Sequence, residues 1–241
     1  MDFYENRDTK KYGVYEEGAF QHCLIKVFGW LFIGLLISAG FSYATANYWV
    51  EYLTTANYWV EYLTTGAIFA SCFIEIILVI ILSARVTKIS YITAGVSFIV
   101  YSAINGFSLA GVFLVYNLGS IVTAFMLSAT FFGLMALYGI TTKKDLSGLG
   151  TIFFISLVAI LVVSILNIFI GSSGFDLLIS YLGVAVFAAL TAFDVQKIKT
   201  MYEIGGANVS NNIAIYGALS LYLDFINIFI KVLRILGKKN D

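Results

Sequence analysis

Long apolar stretches, separated by short polar segments, run along the chain from about residue 22 to residue 237. The stretch from Ile89 to Thr142 contains 54 consecutive residues without a charge. As a single helix it would be roughly 81 Å long at about 1.5 Å per residue, so it must fold back, and the turn-forming sequence at 116–120 predicts where. None of the stretches alternates in polarity as the strands of a membrane barrel do. The pattern therefore predicts membrane-spanning helices.

A transmembrane helix needs about 20 mostly apolar residues, and on that basis we predict an all-α polytopic membrane protein with seven spans. The predicted spans are 22–44, 66–84, 89–112, 119–141, 148–171, 176–204 and 212–236. They form one transmembrane domain, 22–237, after an amino-terminal segment, 1–21. Composition agrees, since 60% of residues are hydrophobic and 12% charged, against about 25% charged in soluble domains. An ordinary soluble or disordered protein is excluded.

The basic residues predict the orientation of the bundle. Ten lysines and arginines lie before or just inside span one and near the turns after spans two, four and six, whereas the other three loops have none. By the positive-inside rule the amino terminus is therefore cytoplasmic. The basic residues at the end of span seven, Lys231, Arg234, Lys238 and Lys239, depart from this pattern. Either the last segment is re-entrant, or these charged side chains are stabilised by contacts within the helix bundle.

Three acidic residues, Glu75, Asp194 and Asp224, lie inside predicted spans. An acid at the bilayer centre costs about 2.5–3.5 kcal/mol on the insertion scale, and such residues are functional candidates by default. Asp194 lies ten residues before Ile204 and Asp224 eleven after Ile213, so both are roughly 15 Å from the same side. The two aspartates are thus expected at similar depth on consecutive helices, although this arithmetic does not decide whether they face each other.

Each acid also has a purely structural interpretation. Glu75 could bond Ser71 one turn away, Asp194 could be balanced by Lys197 or Lys199, and Asp224 could bond Lys231 or Asn227. The polar face of span three, Ser97, Tyr101 and Asn105, is more typical of hydrogen bonds between helices than of a pore lining.

A ten-residue repeat, TANYWVEYLT, occurs at 45–54 and again unchanged at 55–64. The interpretation we favour is a redundant duplication in a tolerant outer loop. The alternative is an aromatic anchor in the headgroup region.

Several motifs resemble one family. Residues 217–237, GALSLYLDFINIFIKVLRILG, look like the last helix of the Bax inhibitor-1 (transmembrane Bax inhibitor motif) family in its bacterial branch. TAFDVQKIK at 191–199 is similar to the sixth-helix motif of that family, and KKDLSGLG at 143–150 and FIEIILVIILSAR at 73–85 fit as well. The similarity covers about 22–237 and implies a seven-helix bundle whose last helix is central.

The resemblance further implies a pH-sensitive calcium leak. The paired aspartates that control it in the family map onto Asp194 and Asp224, which would sense protons and contact calcium. Arg85 is the nearest match to a basic residue that latches the pore by bonding the sixth-helix aspartate. Glu75 matches an acidic position near the conduction path.

Calcium prefers oxygen ligands, so the buried amides Asn105 and Asn227 join Glu75 as candidates for the ion pathway. No resident cofactor is expected, only calcium as the permeant or transiently bound ion. The partners expected are the lipid bilayer, calcium and protons, with membrane-protein partners unknown. A formal net charge of zero offers no basic surface for nucleic acid.

The leading hypothesis is a calcium leak channel in the plasma (inner) membrane of a bacterium, gated by the aspartate pair. The alternative is a regulatory membrane protein, a modulator of cell death or of a membrane protease, that transports nothing itself. We do not expect an enzyme. Intramembrane aspartyl proteases also carry aspartates on helices six and seven, but residues 221–224 lack both glycines of their second motif, and the chain has no proline for the third.

Overall fold

The computed structural model describes residues 17–54, 58–85, 88–205 and 210–238. Regular structure within these residues is helical, which confirms the all-α class. The helices are α1 (Glu17–Thr54), α2 (Tyr58–Arg85), α3 (Tyr91–Ser108), α4 (Ala110–Val115), α5 (Leu118–Thr141), α6 (Gly150–Ile170), α7 (Ser173–Gly205) and α8 (Ser210–Leu236), with a 3-10 turn at Ser147–Leu149. Residues 1–16, most of the predicted amino-terminal segment, lie outside the described residues.

A helix is present at each predicted span, although α1 ends ten residues after the predicted end of span one and α2 begins eight residues before the predicted start of span two. Within the described residues, six stretches are long and apolar enough to cross a membrane: 20–48, 91–115, 118–141, 147–167, 173–205 and 211–236. Helices α3 and α4 together correspond to span three, and α7 and α8 to spans six and seven. The predicted turn near residue 117 is present, and the Asn117 side chain caps α5 by accepting a 2.9 Å hydrogen bond from the backbone N–H of Ser120.

The duplicated segment is not the loop that we expected. Residues 45–54 continue α1 to Thr54, and α2 begins at Tyr58, inside the second copy. The repeat contains neither glycine nor proline, so nothing in it stops a helix. Residues 55–57 and the side chains of 49–69 lie outside the described part, so the aromatic-anchor interpretation stays a prediction.

Helix α8 runs the length of the bundle. At its start, Asn212 donates to the Ile89 carbonyl at 2.8 Å, just before α3. Beyond its end, the Lys238 backbone N–H donates to the Ser120 hydroxyl at 2.9 Å, just after α4. These partners lie at opposite ends of α3 and α4, so α8 extends from one end of the bundle to the other. One basic residue at the end of α8 is paired within the bundle, since Arg234 forms an ion pair with Asp176 at 2.7 Å.

Burial differs strongly among the helices. In their apolar segments 72% of residues are buried in α8 and 50% in α7, but none in α6. Helix α8 contacts α1, α3, α5 and α7, whereas α6 packs mainly on α7. Large apolar side chains cover the outside, as Phe169 illustrates at 84% exposed. Such an apolar exterior is typical of a surface in contact with lipid.

Two glycines set the register between the antiparallel helices α7 and α8. A Cβ at Gly217 would lie 2.7 Å from Ile198 Cδ1, and a Cβ at Gly183 would lie 3.0 Å from Lys231 Cγ. This register places Asp224 level with Thr191, three residues from Asp194. The two aspartates are therefore offset by roughly 5 Å along the helix axes, at about 1.5 Å per residue.

Candidate functional site

A cavity of about 680 Å³ lies between α6, α7 and α8, with Val79 of α2 also at its edge. Helix α6 contributes an apolar wall that includes Phe153, Leu157 and Leu161. The opposite wall carries six polar side chains among apolar ones such as Leu190 and Leu223: Asp194, Lys197, Ser220, Asp224, Asn227 and Lys231. The α8 residues share one helical face at spacings of three and four, which explains why a single cavity collects them.

Asp224 is the most deeply buried acid of this cavity. Its side chain is 5% exposed, and within the described residues its Oδ2 atom has no hydrogen-bond partner. The sequence allowed a structural bond to Asn227 or Lys231, but the Asn227 amide donates instead to the Leu223 carbonyl at 2.8 Å. A buried carboxylate oxygen without a partner is costly. Thr191 on α7 is the hydrogen-bond partner of the Asp224 carboxyl group, so the partners that the sequence offered, Asn227 and Lys231, do not account for the Oδ2 atom.

Asp194 lines the same cavity as Asp224, on the neighbouring helix, so negative charges on the two carboxylates would repel each other. It is half-buried, and the nearby cation whose charge acts on it is Lys197, one turn along α7. The Lys197 ammonium also lies 5.3 Å from the centroid of the Tyr216 ring, within cation–π range. The cavity thus joins two carboxylates of unequal burial, and Lys197 attracts the less buried one.

Arg85 lies apart from this site. It is the last residue of α2, exposed, and is not among the residues that line the cavity. Within the described part of the chain, the ion pair present is Arg234–Asp176, so the structure does not join Arg85 to Asp194. A latch through Arg85 would require α2 to move or Arg85 to extend toward α7.

Glu75 belongs to a second polar cluster, between α2 and α3. Asn105 Nδ2 donates to Glu75 Oε2 at 2.8 Å, and the Ser108 hydroxyl donates to Glu75 Oε1. Ser71, the partner that the sequence offers for Glu75, joins this cluster through its hydroxyl, which lies 2.5 Å from that of Ser108. The candidate ion-pathway residues are therefore divided, because Glu75 and Asn105 lie in this cluster and Asn227 in the cavity.

Tyr222 extends the second cluster to α8 and α1. Its hydroxyl donates to Asn105 Oδ1 at 2.7 Å and lies 2.6 Å from the Ser38 hydroxyl oxygen. Sequence analysis missed this residue. A fully buried tyrosine needs a hydrogen-bond partner, and its position two residues before Asp224 puts it on another face of α8. Those two facts could have indicated a polar cluster away from the cavity.

The described residues contain no group of three or more His, Cys, Asp or Glu side chains that could hold a metal ion. The cavity offers oxygen atoms from two carboxylates, from the Asn227 amide and from the hydroxyls of Ser164, Ser220 and Tyr216. Calcium takes six to eight oxygen ligands, including water.

The comparisons with known proteins identify the class. The family described as "Inhibitor of apoptosis-promoting Bax1" matches residues 20–241. The chain belongs to this family, the Bax inhibitor-1 family, which confirms the resemblance seen in the sequence.

Similar relatives come from several bacteria. The "Inner membrane protein YbhL" of Escherichia coli strain K12 is 38% identical over 222 residues, covering 91% of this chain and 92% of that protein. A protein of Borreliella burgdorferi is 40% identical over 222 residues, with 90% and 92% covered. A membrane protein of Streptococcus pyogenes serotype M1 is 37% identical over 216 residues, with 90% and 92% covered.

Proposed function

We propose that this protein is a proton-sensitive calcium leak channel, gated by Asp194 and Asp224. One observation carries the proposal: Asp224 is buried with an unpartnered Oδ2 atom, in a cavity that it shares with a second carboxylate. A buried acid that served only the fold would have its oxygens hydrogen-bonded. A carboxylate that alternates between binding a proton and binding a cation needs an oxygen that is available.

Protonation supplies the gate in this proposal. Two neighbouring carboxylates in a low-dielectric cavity do not easily ionise together. A singly protonated pair can share a hydrogen bond, which holds α7 and α8 together. When the proton leaves, repulsion replaces that attraction, and a calcium ion stabilises the two negative charges. Protons and calcium therefore compete for the pair, and Arg85 is the proposed cation that replaces calcium in a closed state.

The proposed architecture has seven membrane-spanning helices, with α8 at the centre. Six of them contain the apolar stretches given above, and α2 is the seventh. We place the protein in the inner membrane of a bacterium with its amino terminus in the cytoplasm. The relative from Escherichia coli is named an inner membrane protein, and the distribution of basic residues supports the orientation.

Labelling single cysteines in intact cells tests the orientation. In a background without Cys23 and Cys72, a cysteine at Ser173 should react with a membrane-impermeant maleimide. A cysteine at Lys144 should react only after permeabilisation. The opposite pattern would overturn the assignment.

Calcium flux into liposomes that contain only the purified protein tests the function. The wild-type protein should admit calcium to a trapped indicator at a rate above that of empty liposomes. Inserted, folded protein that gives no flux at any pH would refute the channel and favour a regulatory role through other membrane proteins.

A further inference from the structure

The cavity contains a cation that the proposed gate does not use. Lys231 lines the same cavity as the aspartates and is 8% exposed. It lies seven residues after Asp224 on the same face of α8, roughly 10 Å further along the axis at about 1.5 Å per residue. It therefore lies between the aspartate pair and the end of the bundle formed by the α4–α5 and α6–α7 turns.

Packing holds the Lys231 stem in place. A Cβ at Gly183 would lie 3.0–3.2 Å from its Cγ, Cδ and Cε atoms. The stem thus crosses the α7 backbone where glycine leaves room for it. A bulkier residue at 183 would displace it.

The charge of Lys231 is not neutralised by a direct partner. Within the described residues its ammonium makes no hydrogen bond or ion pair, and the charged groups that act on it are Arg234 and Asp176. Asp176 already pairs with Arg234 at 2.7 Å. The three side chains together carry one net positive charge at this end of the cavity.

We propose that Lys231 is a tethered cation that restricts calcium passage between the aspartate pair and this end of the bundle. The inference rests on the proposed leak function. A calcium ion that leaves Asp224 in this direction must pass a buried ammonium, and repulsion between cations is strong where the dielectric constant is low. The packed stem keeps the ammonium in the cavity, so the same repulsion also weakens calcium binding at the carboxylates.

A charge-removing variant tests the proposal. Lys231→Met keeps a long apolar stem against Gly183 and removes the charge, whereas Lys231→Arg keeps a charge. Lys238→Met is the matched control, since it removes an exposed positive charge just beyond the same end of α8. We expect calcium flux about tenfold faster in Lys231→Met, equivalent to about 1.4 kcal/mol. Lys231→Arg and Lys238→Met should stay near the wild-type rate.

A second measurement does not depend on flux. Terbium binding to the detergent-solubilised protein, followed by luminescence sensitised through Tyr216 in the cavity wall, should be tighter in Lys231→Met than in Lys238→Met. If Lys231→Met is poorly folded, Lys231→Gln replaces it in both assays.

The outcomes separate this inference from the function on which it rests. If the wild type conducts calcium but Lys231→Met shows neither faster flux nor tighter terbium binding, the tethered-cation proposal is wrong and the leak function stands. If neither the wild type nor any variant conducts calcium or binds terbium, both proposals are wrong.

Discussion

A single glycine in α5 should control how closely that helix approaches the aspartate-bearing helix. A Cβ added at Gly139 would lie 2.5 Å from the Ala192 carbonyl oxygen and 2.9 Å from its Cα. These are backbone atoms of α7 and cannot rotate away, so Gly139→Ala must push the two helices apart. Ala192 lies two residues before Asp194, so the displacement reaches the cavity.

The chain provides a matched control in the same helix. Gly133 has no atom within 4 Å of an added Cβ, so Gly133→Ala should show only the gain in helix propensity of about 1 kcal/mol. Gly139→Ala should show the same gain minus an overpacking cost of about 1–3 kcal/mol. We therefore expect Gly139→Ala to be less stable than Gly133→Ala by about 1–3 kcal/mol.

Thermal unfolding of the two variants in one detergent, at one scan rate, measures this difference. For a chain of this size, 1 kcal/mol shifts Tm by about 2–4 °C. If Gly139→Ala melts at or above the Tm of Gly133→Ala, the close approach of α5 and α7 described here is wrong.

Three further predictions concern other parts of the chain. Tyr222→Phe removes the hydroxyl that joins Asn105 and Ser38 and should cost about 1–3 kcal/mol of unfolding free energy, whereas Tyr181→Phe, at an exposed site, should cost little in the same assay. Deleting residues 55–64 removes one copy of the repeat, including the first seven residues of α2, but the remaining copy still leads from α1 into the rest of α2, so folding and flux should stay nearly unchanged; an inserted deletion variant without flux would contradict this. The Ser147 hydroxyl and backbone N–H lower the pKa of Asp145, so its contribution to stability should be present above the ordinary carboxyl pKa of about 4 and be lost as pH falls through the lowered value; Ser147→Ala should raise the pKa of Asp145 in an NMR titration.

The parts of the structure that follow from local periodicity were predictable from the sequence. Apolar stretches of about 20 residues predicted the helices. The spacing along α8 put Ser220, Asp224, Asn227 and Lys231 on one face, and all four line the cavity. Helical periodicity acts within one helix, so it can be read without knowing the neighbours.

Contacts between helices were not predictable in the same way. For Glu75 the sequence offered Ser71, one turn away, but the structure joins Glu75 to Asn105 and Ser108 on α3. That choice depends on how α2 is rotated against α3, which no pattern within α2 specifies. The helical conformation of the repeat was missed for a different reason. The loop was predicted from the fact of the duplication, whereas the residues of the repeat are compatible with a helix.

The pH dependence of calcium flux in Asp194→Asn and Asp224→Asn tests the central claim most directly. Wild-type flux in liposomes should change across about pH 6 to 8 as the pair gains and loses its shared proton. Each single variant should blunt that change, and the double variant should add little, because the pair titrates as one unit. If both single variants keep the wild-type pH profile, the aspartates are structural and the proposed gate is wrong.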